Sequence, residues 1–268
     1  MNTHKKTMVV SIANNKGGVG KSTLAINLST ALTLSPHKKN VLVVDMDPQC
    51  NTTSVLLKDN AKKTLYDFLT DPETKPEECI YTTAHENLYI LPNVEETSFI
   101  ELDLYQNVSQ SSSILRERLR PYALENFDVV ILDNPPNFGC FVYLSLFMSD
   151  CVIVPISSGS TRSLTGLIRA ISVIDEISKT ANPDLKFFKL LINQVDMRKT
   201  VTKVVIKQIE KSFTKDKFFE TRIPTSAILE QAEAQEKTIF QFSGSSAPAT
   251  SYRALAKECA DAFDGVVS

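Results

Sequence analysis

Several features that would define other protein classes are missing from this sequence of 268 residues. It has no run of about 18 apolar residues and no signal-peptide pattern, which argues against a membrane span and a secretory leader. Its five cysteines are odd in number and form no C-x-x-C pair, which argues against a disulfide framework, a zinc site or an iron–sulfur carrier. Repeats, low-complexity segments and linkers are also absent. We therefore expect one cytoplasmic domain over residues 1–268.

The sequence also has no excess of positively charged residues. The chain has 29 Lys and Arg against 31 Asp and Glu, for a formal net charge of −2. Such a balance gives no overall attraction to nucleic acid, so any contact with DNA must come from a local patch. The hydrophobic content of 43% is ordinary for a globular protein.

Apolar runs and amphipathic segments alternate along most of the chain. The predicted strands are Met8–Ala13, Val41–Asp45, Leu88–Pro92, Phe127–Asp133, Cys151–Pro155, Phe187–Val195 and Phe219–Pro224. The predicted helices are 24–34, 64–69, 95–125 with a serine-rich interruption at 109–113, a helix of about ten residues before Cys151, 164–177, 201–213 and 252–263. Strands that alternate with helices predict an α/β fold, with a mostly parallel β-sheet flanked by helices on both faces.

A glycine-rich loop lies between the first predicted strand and the first predicted helix. Its sequence, KGGVGKST over residues 16–23, has the strand–loop–helix setting that a phosphate-binding loop needs. Glycines let the backbone N–H groups turn inward, and the helix N-terminus adds a partial positive charge. Lys21 can reach the β- and γ-phosphates, and the hydroxyl of Ser22 can hold Mg²⁺. We assign nucleotide binding to Gly17, Gly18, Val19, Gly20, Lys21, Ser22 and Thr23.

Two positions depart from the common form of this loop. Asn15 stands where the common pattern has glycine, and a second lysine, Lys16, lies at the loop entrance. The resulting form, K-G-G-x-G-K-[ST], is the deviant Walker A motif, and in it the chain resembles the MinD/ParA family of P-loop ATPases. The resemblance implies that Lys16 crosses a dimer interface and contacts the phosphates bound by the partner subunit. The alternative is an ordinary solvated lysine.

Carboxylates follow two of the predicted strands. Asp45 and Asp47 are two residues apart, so both point to the same side near a strand end, where they could share Mg²⁺ and a water. The segment matches the family's D-x-D-P-Q motif, which implies that Asp45 supports the magnesium shell and that Asp47 positions the attacking water. The alternative is two acids that cap the following turn.

A third acid, Asp133, ends an apolar strand in the manner of a Walker B motif and is expected to bind Mg²⁺ through water. Asn134 replaces the threonine usual in the family, a departure that could alter switch behaviour. The expected cofactors are ATP and Mg²⁺, with Lys16, Lys21 and Asp47 as catalytic residues, because phosphoryl transfer asks mainly for charge neutralisation and a positioned water.

Two further residues are assigned to the nucleotide's base. By resemblance to the family, Asn193 at the end of a predicted strand reads the adenine edge, and Pro224 lies near the same base. An asparagine that closes a strand is also a routine turn residue, so a purely structural role stays open.

Cations recur at four-residue spacing from residue 199 onward and fan over one face of the predicted helix. Such a face could hold DNA phosphates without reading sequence, or it could be an ordinary solvated surface. The candidate DNA-binding residues are Arg198, Lys199, Lys203, Lys207 and Lys211. Relatives often carry arginines after the Ile-Pro pair, where this chain has Thr225 to Ile228, so a different surface or weaker affinity is expected.

Comparison among family branches narrows the expected function. The acidic end of the chain over residues 259–268 lacks the basic amphipathic helix of MinD-type members, which disfavours membrane binding. The resemblance implies a ParA-type ATPase for plasmid or chromosome partition or cargo positioning. It would form an ATP sandwich homodimer on non-specific nucleoid DNA and be released when a partner protein stimulates hydrolysis. The alternatives are an ATPase adaptor that acts without DNA, or a metabolic P-loop enzyme related to dethiobiotin synthetase.

Overall fold

The structure is a computed structural model that describes residues 7–107, 111, 113–159, 163–185 and 187–266. Its centre is a seven-stranded sheet. The strands are β1 (Met8–Ile12), β2 (Val41–Asp45), β3 (Tyr81–Thr82), β4 (Leu88–Leu91), β5 (Val129–Asp133), β6 (Cys151–Ser157) and β7 (Phe187–Asn193). Their order across the sheet is β3-β4-β2-β5-β1-β6-β7, and only the β3–β4 pair is antiparallel among the described ladders.

Helices surround this sheet. The α-helices are α1 (Lys21–Thr33), α2 (Asn51–Leu56), α3 (Leu65–Thr70), α4 (Pro76–Cys79), α5 (Glu101–Gln106), α6 (Arg120–Asn126), α7 (Cys140–Met148), α8 (Ser163–Thr180), α9 (Thr200–Ser212), α10 (Ala227–Ala234), α11 (Ile239–Ser243) and α12 (Ala247–Val266). Short 3₁₀-helices cover Glu95–Ile100 and Lys215–Lys217, and a π-helical turn covers Leu115–Leu119. Within the described part of the chain, no helix is long and apolar enough to cross a membrane.

The central strands are apolar throughout because both faces of the sheet are covered. In β2, Val41 and Val43 pack into the cluster that contains α1 and α12, whereas Leu42 and Val44 pack into the cluster on the opposite face with α3 and α7. Register aligns Asp45 of β2 with Asp133 of β5, which brings two strand-end carboxylates to one edge of the sheet. The predicted α/β fold with a mostly parallel sheet is confirmed.

One predicted strand is wrong. The segment predicted as the strand Phe219–Pro224 makes only isolated bridges, one between Leu190 and Phe218 and one between Val195 and Pro224. Its middle leaves the sheet because the backbone N–H groups of Glu220 and Thr221 donate to the carboxylate of Glu258 on α12 instead of to β7. The segment runs beside β7 without extending the sheet.

Several helices differ from the prediction. Helices α2, α10 and α11 were not predicted, α4 lies in a predicted loop, and α12 begins five residues before the predicted start at Tyr252. The short helices are held by local contacts that periodicity does not register, such as the capping box in which Thr238 and Gln241 hydrogen-bond each other's backbone at the start of α11. Part of the predicted serine-rich interruption, at residues 109, 110 and 112, lies outside the described residues.

Candidate nucleotide-binding site

The loop between β1 and α1 has a backbone that only glycine adopts easily. Gly18 has φ of 70° and Gly20 has φ of 80°, both in the left-handed region. At Gly20, a Cβ atom would lie 2.7 Å from Nδ2 of Asn193. Glycine is therefore required at position 20 both by conformation and by the close approach of β7.

Side-chain amides hold the loop in this shape. Nδ2 of Asn193 donates to the carbonyl of Val19 at 2.7 Å, and Nε2 of Gln194 donates to the carbonyl of Gly18 at 2.9 Å. At the loop entrance, Nδ2 of Asn14 donates to the carbonyl of Pro155 on β6 at 2.7 Å. The roles of Asn14 and Gln194 were not predicted; the position of Gln194 directly after a strand-ending asparagine was the one available signal.

A cavity of about 390 Å³ opens over this loop and is the candidate phosphate site. Its lining includes Gly17, Gly18, Gly20, Lys21, Ser22, Thr23, Asp47, Gln49 and Pro136. Lys21 is buried, and its Nζ donates to the carbonyl of Lys16 at 3.3 Å. Burial lowers the pKa of Lys21, while the nearby carboxylates of Asp133 and Asp47 act in the opposite direction. A lysine placed this way is a pre-positioned partner for phosphate oxygens.

The two acids of the D-x-D motif, which could share Mg²⁺ and a water, have different surroundings in the structure. Asp47 lines the phosphate cavity, whereas Asp45 lies behind it with 0% exposure. The carboxylate of Asp45 accepts hydrogen bonds from the backbone N–H of Asp47 and from both N–H and hydroxyl of Thr53. Burial, with a smaller contribution from Asp133, raises its pKa. In this arrangement Asp45 positions the loop that carries Asp47, and its support of the magnesium shell stays a prediction.

Asp133 has the features of a magnesium-binding carboxylate. Its Oδ2 accepts a hydrogen bond from the hydroxyl of Thr52 at 2.7 Å, whereas its buried Oδ1 has no hydrogen-bond partner. Burial raises its pKa, and the hydroxyls of Thr52 and Ser22 beside it act in the opposite direction. Carboxylate, hydroxyl and water oxygens are the donors that Mg²⁺ prefers, so Asp133 and Ser22 fit this ion. When bound, it would neutralise phosphate charge.

Lys16 takes no part in this cavity. Among the described residues, the lining contains Gly17 and Lys21 but not Lys16. The half-buried Lys16 instead lies beside α8, where a Cβ built on Gly166 would be 3.9 Å from its own Cβ. The catalytic role of Lys16 across a dimer interface stays a prediction.

A second cavity of about 290 Å³ continues from the first and is the candidate nucleoside site. The two cavities share Gly20, Thr23 and Glu233 in their linings. Asn193 and Pro224, the two residues assigned to the base, both line the second cavity. Oδ1 of Asn193 accepts from the backbone N–H of Gln194 at 2.9 Å, so its amide is already engaged within the protein and its contact with adenine stays a prediction.

Residues from the last third of the chain complete this second cavity and were not predicted. They include Thr225, Ser226, Leu229, Glu230, Glu233 and Tyr252. Thr225 and Ser226 directly follow Pro224, whereas the other four belong to no recognisable motif and have no local pattern that marks them as site residues.

The predicted basic face lies on α9, next to the nucleoside cavity. Val205, Ile206 and Ile209 are buried against the sheet, while Lys203, Lys207 and Lys211 are exposed. At the start of this segment, Arg198 forms a bidentate ion pair with Asp196, with N–O distances of 2.8 and 3.0 Å, and Lys199 lies 3.9 Å from the same carboxylate.

The Arg198 hydrogen bonds lower the pKa of Asp196 to about 2, so the carboxylate stays charged across the physiological range. The positive charges of Arg198 and Lys199 are therefore paired with the carboxylate of Asp196, whereas the side chains of Lys203, Lys207 and Lys211 are exposed to solvent. Contact of any of the five with DNA stays a prediction.

A chain of hydrogen bonds connects Asp45 with the 3₁₀-helix after β4. The hydroxyl of Thr53 donates to Asp45 at 2.7 Å and accepts from the backbone N–H of Asn93 at 3.0 Å. The side-chain oxygen of Asn93 in turn accepts from the hydroxyl of Thr97 at 2.6 Å. Asp45, Asn93 and Thr97 are all buried, so a buried hydrogen-bond network joins this helix to the Asp45 carboxylate.

A glycine loop that leads into a helix, a buried lysine and acids at the ends of neighbouring parallel strands together define a P-loop nucleotide hydrolase. The chain matches the AAA domain family over residues 7–187. It is 32% identical over 254 residues to the sporulation initiation inhibitor protein Soj of Bacillus subtilis, covering 94% of this chain and 98% of that protein. It is likewise 32% identical over 252 residues to the chromosome partitioning protein ParA of Myxococcus xanthus, covering 93% and 87%. The chain belongs to the MinD/ParA family of deviant Walker A ATPases.

Solved structures agree with this assignment. Cobyrinic acid a,c-diamide synthase from Mycobacterium smegmatis with bound ADP and magnesium superposes with a TM-score of 0.79 at 25% identity, covering 96% of each chain. An ATP complex of Cyanothece McdA gives a TM-score of 0.80 at 21% identity, covering 96% and 97%, and supports the fold alone. The protein is an ATP hydrolase whose cofactors are ATP and Mg²⁺.

Proposed function

We propose that this protein is a ParA-type ATPase that partitions a plasmid or chromosome, or positions another cargo, in the cytoplasm of its host. In this proposal ATP brings two copies together, with Lys16 of each copy at the phosphates of the other. The dimer binds non-specific DNA of the nucleoid and dissociates after hydrolysis, in which Lys21 neutralises phosphate charge and Asp47 positions water. The names of the relatives, chromosome partitioning protein ParA among them, support this purpose.

The observation that carries the DNA part of the proposal is the position of α9. Lys199 and Thr202, at the beginning of this segment, line the nucleoside cavity. One turn further along, Lys203 and Lys207 are exposed, and Val201 and Val204 are exposed beside them. A helix that begins at the nucleotide and presents cations to solvent is suited to bind phosphates in a nucleotide-dependent manner.

Binding to non-specific duplex DNA tests this proposal. The Asp47→Ala variant is expected to hydrolyse slowly and to accumulate as a dimer. We expect it to bind DNA with ATP, but not with ADP or without nucleotide, and to lose affinity steeply as salt rises. Adding Lys203→Glu and Lys207→Glu should abolish that binding. Lys58→Glu with Lys62→Glu is the matched control, since it changes the same charge at exposed lysines with the same spacing elsewhere.

The result also separates the alternative functions. An ATP-dependent dimer that ignores DNA at low salt would contradict the DNA part and favour an adaptor that acts on a protein. Fast turnover of ATP with a small-molecule acceptor would instead favour a metabolic P-loop enzyme. Equal loss of DNA binding in the two lysine pairs would show that overall charge, and not α9, is responsible.

A partner protein that stimulates hydrolysis belongs to the proposal and is supported by an exposed apolar surface on the segment 95–106. Phe99, Leu102 and Tyr105 are 79%, 64% and 63% exposed. The segment contains four acids and no lysine or arginine. Apolar side chains amid negative charge favour a basic amphipathic protein segment as the occupant. The hydrogen bonds from Thr97 through Asn93 and Thr53 to Asp45 give such a partner a route to the site.

A synthetic amphipathic peptide of about 20 residues, rich in lysine and leucine, tests this surface. It should bind the wild-type protein and raise ATP turnover, and a version with glutamate in place of lysine should do neither. Phe99→Ser with Leu102→Ser should remove binding without changing unstimulated turnover, because both side chains are exposed. Equal peptide binding by the wild type and this double variant would contradict the assignment.

A further inference from the structure

Glu233 of α10 lies at the junction of the two cavities. It lines both of them, together with Gly20 and Thr23. Its Oε1 accepts a hydrogen bond from the hydroxyl of Thr23 in the first turn of α1. A carboxylate therefore stands at the junction through which any ligand that fills both cavities has to extend.

The order of the groups in a nucleotide determines which of them lies beside the carboxylate of Glu233. With the β- and γ-phosphates near Lys21 and the base near Asn193 and Pro224, the ribose and the α-phosphate occupy the junction between Thr23 and Glu233. An α-phosphate oxygen beside a carboxylate is repelled, whereas a ribose offers two hydroxyl donors. The hydroxyl of Thr23 is a donor suited to the α-phosphate. When the nucleotide binds, the hydroxyl of Thr23 donates to the α-phosphate and the carboxylate of Glu233 accepts from the ribose hydroxyls. Each of these groups then has a hydrogen-bond partner.

A second observation points to a ligand at the same place. Tyr252 of α12 is 0% exposed, lies in the wall of the nucleoside cavity, and its hydroxyl has no hydrogen-bond partner. Burial and the nearby charge of Glu233 raise the pKa of this hydroxyl, so it remains a donor. An unpartnered buried hydroxyl is unfavourable, and its presence beside a cavity favours a site that is completed by its ligand.

We propose that Glu233 recognises the ribose of the nucleotide by accepting hydrogen bonds from its 2′- and 3′-hydroxyls, and that Tyr252 donates to the same nucleoside. The hydroxyl of Thr23, which donates to Glu233 in the structure, is then released to the α-phosphate. This inference depends on ATP binding alone and is independent of the proposed function in DNA partition. It makes Glu233 a specificity-determining residue that distinguishes nucleotides with the 2′- and 3′-hydroxyls from nucleotides without them.

Titration of the full-length protein with ATP and with 2′,3′-dideoxyATP, both with Mg²⁺ and without DNA, tests the role of Glu233. The wild type should bind ATP at least about tenfold more tightly, because the dideoxy analogue leaves the carboxylate unpaired. In Glu233→Ala the two Kd values should agree within about twofold. Glu236→Ala, which removes the same charge from a residue outside both cavity linings, should keep the wild-type ratio.

Two results would overturn the proposal. One is a wild-type protein that binds ATP and 2′,3′-dideoxyATP equally. The other is a Glu233→Ala variant that binds both more tightly and keeps the wild-type ratio, which would make the carboxylate a repulsive obstruction and not a reader of ribose. Neither result involves DNA, so a failure here and a failure of the partition proposal are distinguishable.

Tyr252→Phe supplies an independent test because it removes one oxygen and little volume. Without nucleotide, its stability to urea should equal or exceed that of the wild type, since an unpartnered buried hydroxyl is lost. Its Kd for ATP should rise about fivefold if the hydroxyl donates to the nucleoside. Unchanged ATP affinity, or a loss of stability without nucleotide, would contradict the role assigned to Tyr252.

Discussion

The phosphate cavity and the nucleoside cavity share one loop but are constructed differently. The phosphate cavity depends on charged groups, among them Lys21 and Asp47, that sit in or just after contiguous motifs at the ends of β1 and β2. The nucleoside cavity takes most of its lining from β7 and the segments after it, where neither uncharged residues such as Asn193, Pro224 and Tyr252 nor the charged Asp196, Lys199, Glu230 and Glu233 belong to a contiguous motif. Sequence motifs therefore identify the residues of the phosphate cavity well and those of the nucleoside cavity poorly.

This difference teaches where function can be deduced from sequence. Charges brought together out of water have to be neutralised or paired, so the residues that bear them are few and tightly specified. A cavity wall that fits an aromatic base can be assembled from many combinations of side chains. If this contrast is real, substitutions in the phosphate cavity should have much larger effects on turnover than those in the nucleoside cavity.

The largest effect is expected for Lys21→Ala. Lys21 is buried in the phosphate cavity, and removing one pre-positioned charge at a transferring phosphoryl group should lower kcat for ATP hydrolysis by about 100- to 1,000-fold. Steady-state phosphate release measures this. Lys62→Ala, at an exposed lysine remote from the motifs, is the control and should retain wild-type turnover. A loss below tenfold in Lys21→Ala would contradict the assignment of the phosphate cavity.

Asp133→Asn should change both activity and the pH dependence of stability. The buried carboxyl has a raised pKa, so the folded protein holds a proton that the unfolded chain releases. Stability of the Mg²⁺-free wild type should therefore fall as pH rises from the ordinary aspartate pKa through the folded value, by about 2 kcal/mol from this group.

Urea unfolding at pH 4.5 and pH 7.5 measures the pH effect, and the fall should be smaller in Asp133→Asn. The same variant should lose the increase in ATP affinity that Mg²⁺ gives the wild type. A pH dependence identical to that of the wild type would show that Asp133 does not hold this proton.

Substitutions on the nucleoside side should have smaller effects. Asn193→Ala removes the buried hydrogen bond to Val19 and should weaken ATP binding by about tenfold. Gln194→Ala removes a more exposed bond to Gly18 and should weaken it by about threefold. Equilibrium titration with ATP measures both. Equal effects, or a larger effect for Gln194→Ala, would mean that burial does not set the strength of the two attachments.

Sequence reasoning identified the α/β fold, the glycine loop and the strand-end acids because each is a local pattern. Its assignment of Asp45 to the magnesium shell stays a prediction, but it did not foresee that this carboxylate is fully buried and accepts two hydrogen bonds from Thr53. Thr53 is six residues beyond Asp47 and has no distinguishing pattern. The strand predicted at Phe219–Pro224 was wrong for a related reason, since the backbone amides of Glu220 and Thr221 in its middle pair with Glu258, distant in the sequence. The surroundings of Asp45 and the path of the segment 219–224 depend on polar contacts between residues that are separated in the sequence. The periodicity of apolar residues does not reveal such contacts.

The close approach of Gly20 and Asn193 has an evolutionary consequence. The amide of Asn193 both holds the carbonyl of Val19 in the phosphate loop and lines the nucleoside cavity, and it lies where a Cβ atom on Gly20 would be. A lineage that exchanged Asn193 would lose the hydrogen bond to the loop, and one that exchanged Gly20 would displace the amide. Substitution at one of the two positions therefore constrains the other, which couples the wall of the nucleoside cavity to the shape of the phosphate loop in this protein's descendants.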